Sequence, residues 1–113
     1  MFTRIRYVIL RVRDVPNMIL FWKDKIGLKP SLETSTWSEF PLENIVIALL
    51  QDKDALPKRT GIVFEVNDIN EAVERLKAKG VKVDKINDIG FGLLTFFKDP
   101  EGNEYEIFQP RPY

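Results

Sequence analysis

The chain has no histidine and no cysteine among its 113 residues. Without histidine it lacks the commonest metal ligand and the usual acid or base near neutral pH; without cysteine it has neither thiolate chemistry nor disulfides. Carboxylates, lysines, tyrosines and hydroxyls remain for chemistry. An excess of either charge is missing too, since seventeen basic residues balance seventeen acidic ones. Such a composition gives no general attraction to nucleic acid or to an anionic membrane surface. Nor is there an uninterrupted apolar run of the ~18 to 20 residues that a membrane-spanning helix needs. These absences lead to the expectation of a cytoplasmic protein with neither nucleic acid nor membrane among its partners.

What the chain does contain is an internal repeat. Residues 8–15 (VILRVRDV) match residues 62–69 (IVFEVNDI) at a constant offset of 54. In each copy a β-branched, strand-like run leads to an aspartate placed to cap a helix, Asp14 in the first and Asp68 in the second. Pro16 fits the opening turn of the first helix, Val15, Ile19, Trp22 and Ile26 share one face, and Gly27 ends it. Ile69, Val73 and Leu76 make the matching face of the second, which Gly80 ends. Strand-like segments follow at 29–34, 36–40 and 45–50, then at 81–86, 93–98 and 104–109, so each copy reads βαβββ. The modules run over about 1–52 and 60–110, joined by a polar loop, 53–59, that contains Pro57. With 44% apolar and 12% aromatic residues there is enough to fill the core of one domain. Asp99-Pro-Glu-Gly102 marks the last hairpin, with glycine where positive φ is tolerated. Pro41-Leu-Glu-Asn44 stands in the matching place, and Asn44 is expected to take a left-handed conformation there.

This duplicated βαβββ pattern, with its Asp-capped helices and the closing run FKDPEGNEYEIF at 97–108, resembles the vicinal oxygen chelate superfamily. That group includes glyoxalase I, extradiol dioxygenases, and fosfomycin- and bleomycin-resistance proteins. The resemblance covers essentially the whole chain, and the Asp-Pro-x-Gly-Asn turn before an alternating strand is its most specific part. The fold it implies is α+β, two βαβββ modules whose curled mixed sheets form a cup. Metal-dependent members of that group draw ligands from the first and last strand of each copy. The motif frame puts Tyr7 and Ala48 at those places in copy one, and Gly61 and Glu106 in copy two. Only Glu106 is a good ligand: tyrosine is a rare one, and alanine and glycine have no donor. The resemblance therefore implies a member with no bound metal and no other cofactor.

Period-two alternation along the first strands would turn Tyr7, Ile9 and Arg11 toward the cup in copy one, and Gly61, Val63 and Glu65 in copy two. Arg11 and Glu65 stand in equivalent places, either as a structural ion pair or as a substrate clamp. Ala48 and Gly61 are small and would leave room for an organic ligand, with Phe108 on the closing strand of copy two. Glu106 reads in two ways. A carboxylate in a mainly apolar cup could have a raised pKa and act as acid, base or anchor; alternatively it is a relic that bonds Tyr7 or Arg11. Trp37 would face the cup or an oligomer surface, and Phe91, between Gly90 and Gly92, would be a lid or a loop anchor. The function expected is metal-independent binding of a small organic molecule. A metal-free lyase or isomerase using Glu106 is the alternative, and a fold kept only for assembly a third. A homodimer is expected, with cups closed within one chain or across two.

Overall fold

The computed structural model describes residues 1–112. The chain forms two compact units, one of Met1–Leu56 and the other beginning at Pro57. In the first, β1 (Tyr7–Val12) leads into α1 (Val15–Leu20), then β2 (Leu32–Glu33), β3 (Trp37–Pro41) and β4 (Val46–Gln51). In the second, β5 (Arg59–Glu65) precedes α2 (Ile69–Ala78), β6 (Asn87–Asp88), β7 (Gly92–Lys98) and β8 (Glu104–Pro110). Each unit is thus βαβββ, with strand orders β1-β4-β3-β2 and β5-β8-β7-β6. The first and last strands of each unit pair in parallel and the remaining pairs are antiparallel, so both sheets are mixed.

One face of each sheet is core. Leu10 and Val12 are buried while Ile9 and Arg11, which alternate with them, are exposed, and α1 covers the buried side against β3 and β4. In β5, Gly61, Val63 and Glu65 are the exposed set, and α2 packs on β8 of that sheet. Both helices begin in the same way. Asp14 and Asp68 accept the backbone N–H of Asn17 and Glu71, three residues on. A glutamine on each closing strand then takes the first helical N–H: Gln51 Oε1 accepts from Val15 at 2.9 Å, and Gln109 Oε1 from Ile69 at 2.8 Å. The last strand of each unit therefore fixes where its helix starts.

Several details differ from the sequence pattern. After Leu20 the first helix continues through a wider π-helical stretch, Phe21–Ile26, before Gly27 ends it at φ 84°; the neighbours Phe21 and Trp22 are both buried there. The expected strand at 29–34 shrinks to Leu32–Glu33. No continuous strand forms at 81–86. Val83 makes an isolated bridge with Phe97, the Thr95 hydroxyl donates to the Asp84 carbonyl, and strand pairing resumes at Asn87–Asp88. Among the described residues only glycines have positive φ, so Asn44 is not left-handed. Its hairpin is instead closed by the Leu42 N–H on the Ile45 carbonyl, a shorter connection than the one after Lys98. Arg59, read above as the end of a loop, is the first residue of β5.

Candidate ligand-binding site

The second unit holds a cavity of about 430 Å³ whose lining includes Arg59, Thr60, Gly61, Leu94, Phe96, Glu104 and Glu106. β5 is irregular beside it. Arg59 pairs with Glu104 and Val63 with Glu106, so a step of four residues along β5 matches a step of two along β8. Gly61 sits in this bulge at φ 73°, a left-handed conformation that favours glycine, and beyond its chain neighbours no heavy atom lies within 4 Å of where its Cβ would be. Thr60 holds the bulge by donating its hydroxyl to the Glu104 carbonyl at 2.7 Å while accepting the Ile62 N–H at 3.1 Å.

Arg59 lies over the cavity, 83% exposed, with its guanidinium 3.7 Å from Glu104 and 4.0 Å from Glu106. The two carboxylates face an apolar side made by Leu94 and Phe96, of which Phe96 pairs directly with Glu106. The surroundings of Glu106 are therefore polar on one side, unlike the mainly apolar setting expected of it. A cation beside it is Arg59, from the strand paired with its own, whereas the sequence pattern offers Tyr7 or Arg11 as partners.

Those two residues are engaged within the first unit. Tyr7 donates its hydroxyl to Glu39 Oε2 at 3.3 Å, and the Arg11 guanidinium is 3.7 Å from Asp52. Trp37 donates its indole N–H to the same Glu39 oxygen at 2.8 Å, and the Trp37 and Tyr7 rings meet edge to face at 5.7 Å. Ile9 and Glu39 both pair with Ala48, which is fully buried and lies below the accessible surface. The Arg6 guanidinium stands 5.1 Å from the Tyr7 ring centroid, and Tyr7, then Glu39, raise its pKa further above its already high value.

Of the residues expected to line a binding site, Gly61 and Glu106 border the cavity of the second unit. Val63, Glu65 and Phe108 lie farther along β5 and β8, with Phe108 paired to both Glu65 and Leu94. Phe91 is 70% exposed and lies against Phe108, ring centroids 5.6 Å apart, beside the turn in which Asp88 takes the Gly90 N–H. In the first unit Tyr7, Ile9, Arg11 and Trp37 retain exposed surface whereas Ala48 has none. Arg59, Thr60, Leu94, Phe96, Glu104 and Glu39 were not among those expected. Glu39 was within reach of the sequence, because alternation from Trp37 puts it on the same face.

Metal ligation does not fit these side chains. The Tyr7 hydroxyl is committed to Glu39, Ala48 is buried and without a donor, Gly61 has no side chain, and Glu106 lies beside the Arg59 cation. Among the described residues no three His, Cys, Asp or Glu side chains are grouped so as to hold an ion. Likewise, no helix among them is long and apolar enough to cross a membrane.

The model of the Glyoxalase/Bleomycin resistance protein/Dioxygenase superfamily matches residues 4–107. The uncharacterized protein YetH of Bacillus subtilis (strain 168) is 28% identical over 116 aligned positions, spanning 93% of this chain and 97% of YetH. Among solved structures, the antibiotic binding protein TnmS3 from Streptomyces sp. CB03234 superposes with a TM-score of 0.83 at 19% identity, over 96% of this chain and 97% of TnmS3. The fosfomycin resistance protein FosX from Listeria monocytogenes gives 0.80 at 23% identity, over 96% of this chain and 94% of FosX. At such identities the two structures share the fold.

Proposed function

Because the chain belongs to the Glyoxalase/Bleomycin resistance protein/Dioxygenase superfamily, yet has unsuitable residues where metal-dependent relatives carry ligands, we propose that it binds a small organic molecule without a metal. The observation that carries this reading is the cavity at the β5 bulge, with an apolar side from Leu94 and Phe96, two carboxylates, and a guanidinium above them. Small-molecule sites combine apolar walls with convergent polar groups, and this lining, which also includes Asn87 and Thr95, is rich in the polar ones. The cavity volume of about 430 Å³ is within the range of such pockets. TnmS3, an antibiotic binding protein, supports the reading by showing that this fold serves binding.

A thermal-shift screen against small metabolites tests the proposal, run on the parent and on Phe96→Ala and Glu106→Gln. Compounds that stabilise the parent and lose that effect in the variants support the cavity. A screen with no stabilising compound overturns the proposal, and stabilisation equal in all three proteins moves binding elsewhere. Should a stabilising compound be turned over by the parent and not by a Glu106→Gln protein that still binds it, Glu106 acts as acid or base.

A further inference from the structure

Glu39 stands at the centre of the exposed face of the first sheet, and nothing about a solvated strand glutamate requires the partners it has. Glutamate is disfavoured in strands, and water alone would satisfy its carboxylate at the surface. Here one oxygen, Oε2, takes both the Trp37 indole N–H at 2.8 Å and the Tyr7 hydroxyl at 3.3 Å. Two donors from different strands hold the carboxylate in place and leave Oε1 as an acceptor.

The internal repeat shows what this position replaces. Ile9 pairs with Ala48 as Val63 pairs with Glu106, and Ile9 and Val63 are related by the repeat offset. The second unit thus carries its carboxylate on the closing strand at Glu106, with Phe96 beside it on β7. In the first unit the closing strand has Ala48, and the carboxylate is on the adjacent strand at Glu39, directly across the ladder. Directly opposed residues are only ~4.5 to 5.5 Å apart at Cβ. A methyl at one place and a carboxylate at the other therefore serve nearly the same region of the face.

The chain also shows which chemistry this place attracts. Arg6, fully exposed, has its guanidinium 5.1 Å from the Tyr7 ring centroid and feels the charge of Glu39. An exposed arginine is free to leave, so a cation of the chain itself rests where a ligand cation would gain the ring and the carboxylate together.

We propose that Glu39, oriented by Trp37 and Tyr7, is the anchor for a protonated amine on a small ligand with an apolar body, and that Arg6 covers this place until the ligand arrives. The proposal rests on the small-molecule reading above and adds the ligand's chemical class and a second carboxylate that recognises it.

Trp37 makes the test direct, because it is half-buried and touches Glu39 while Trp22 is buried in the core. The probe is 2-phenylethylamine, with 3-phenylpropionate as an anion of similar shape, followed by tryptophan fluorescence in the parent, Glu39→Gln, Arg6→Ala and Trp37→Phe. The amine is expected to give a saturable change that the anion does not, and that Trp37→Phe abolishes. Glu39→Gln keeps an acceptor for both donors and removes the charge, so it should retain its thermal midpoint while weakening amine binding about tenfold or more. Arg6→Ala should tighten it. Equal amine binding by the parent and Glu39→Gln, or equal binding of the anion, overturns the proposal while leaving metabolite binding at the β5 bulge untouched. An amine that causes no change in any of the proteins also overturns it, and the metabolite screen then reports separately on the broader reading.

Discussion

Tyr105 donates its hydroxyl to Asp99 Oδ2 at 2.6 Å inside the second unit, where Tyr105 is fully buried and Asp99 nearly so. Asp99 also accepts the backbone N–H of Glu101 and Asn103, so this one contact ties the hairpin turn between β7 and β8 to the core. Burial, and then the charge of Asp99, push the Tyr105 hydroxyl far above its ordinary pKa. With the folded value raised, the stabilisation is complete below the ordinary tyrosine pKa of about 10 and is lost progressively as pH rises above it. Only the unfolded chain releases this proton in that range. Urea unfolding at about pH 8 and about pH 11 should show a larger loss in the parent than in Tyr105→Phe. At the lower pH Tyr105→Phe should cost about 1–3 kcal/mol, the range for a buried hydrogen bond to a charged partner.

Gly92 owes its identity to Phe108. A Cβ there would lie 2.3 Å from Phe108 Cε1 and 2.6 Å from the backbone oxygen of Gln109. The ring can shift, but the carbonyl belongs to the strand pair. Gly92→Ala should therefore destabilise by about 1–3 kcal/mol in denaturant unfolding, and Phe108→Leu in the same chain should restore only part of it.

The two strand glutamines should behave alike but unequally. Gln109→Ala leaves the Ile69 N–H buried without its acceptor, at a cost of about 1–3 kcal/mol. Gln51→Ala should cost less, because Gln51, unlike Gln109, is only half-buried and water can take its place at the Val15 N–H and the Arg13 carbonyl. Amide hydrogen exchange at Ile69 and Val15 distinguishes these local effects from global unfolding.

Arg59 should matter little to stability. It is 83% exposed, and its pairs with Glu104 and Glu106 are long and open to solvent. Arg59→Ala should change unfolding by no more than about 0.5 kcal/mol while altering ligand binding in the cavity. A large drop in thermal midpoint would make Arg59 a structural brace instead.

Much of this architecture was legible because local chemistry repeats. Asp14 and Asp68 announce their helices, and Asp99 to Gly102 announces the last hairpin. The site was harder to read, because it depends on register. The constant offset pointed to Gly61 as the counterpart of Tyr7, yet the bulge puts Arg59, and not Gly61, opposite Glu104. Polar neighbours after Pro57 disguised Arg59 as loop. Ala48 has the expected parity, but its depth below its neighbours is a packing property that alternation does not encode. Glu39 meets Tyr7 only because β4 separates their strands by one ladder on each side, and no local pattern in the sequence records that.

Binding without a metal is decided by the thermal midpoint of chelator-treated protein with a stabilising metabolite, measured with and without added zinc, manganese or nickel. The expected result is full stabilisation by the metabolite alone, unchanged by any of the metals. Stabilisation that appears only when a divalent metal is restored, and that Glu106→Gln abolishes, would contradict it.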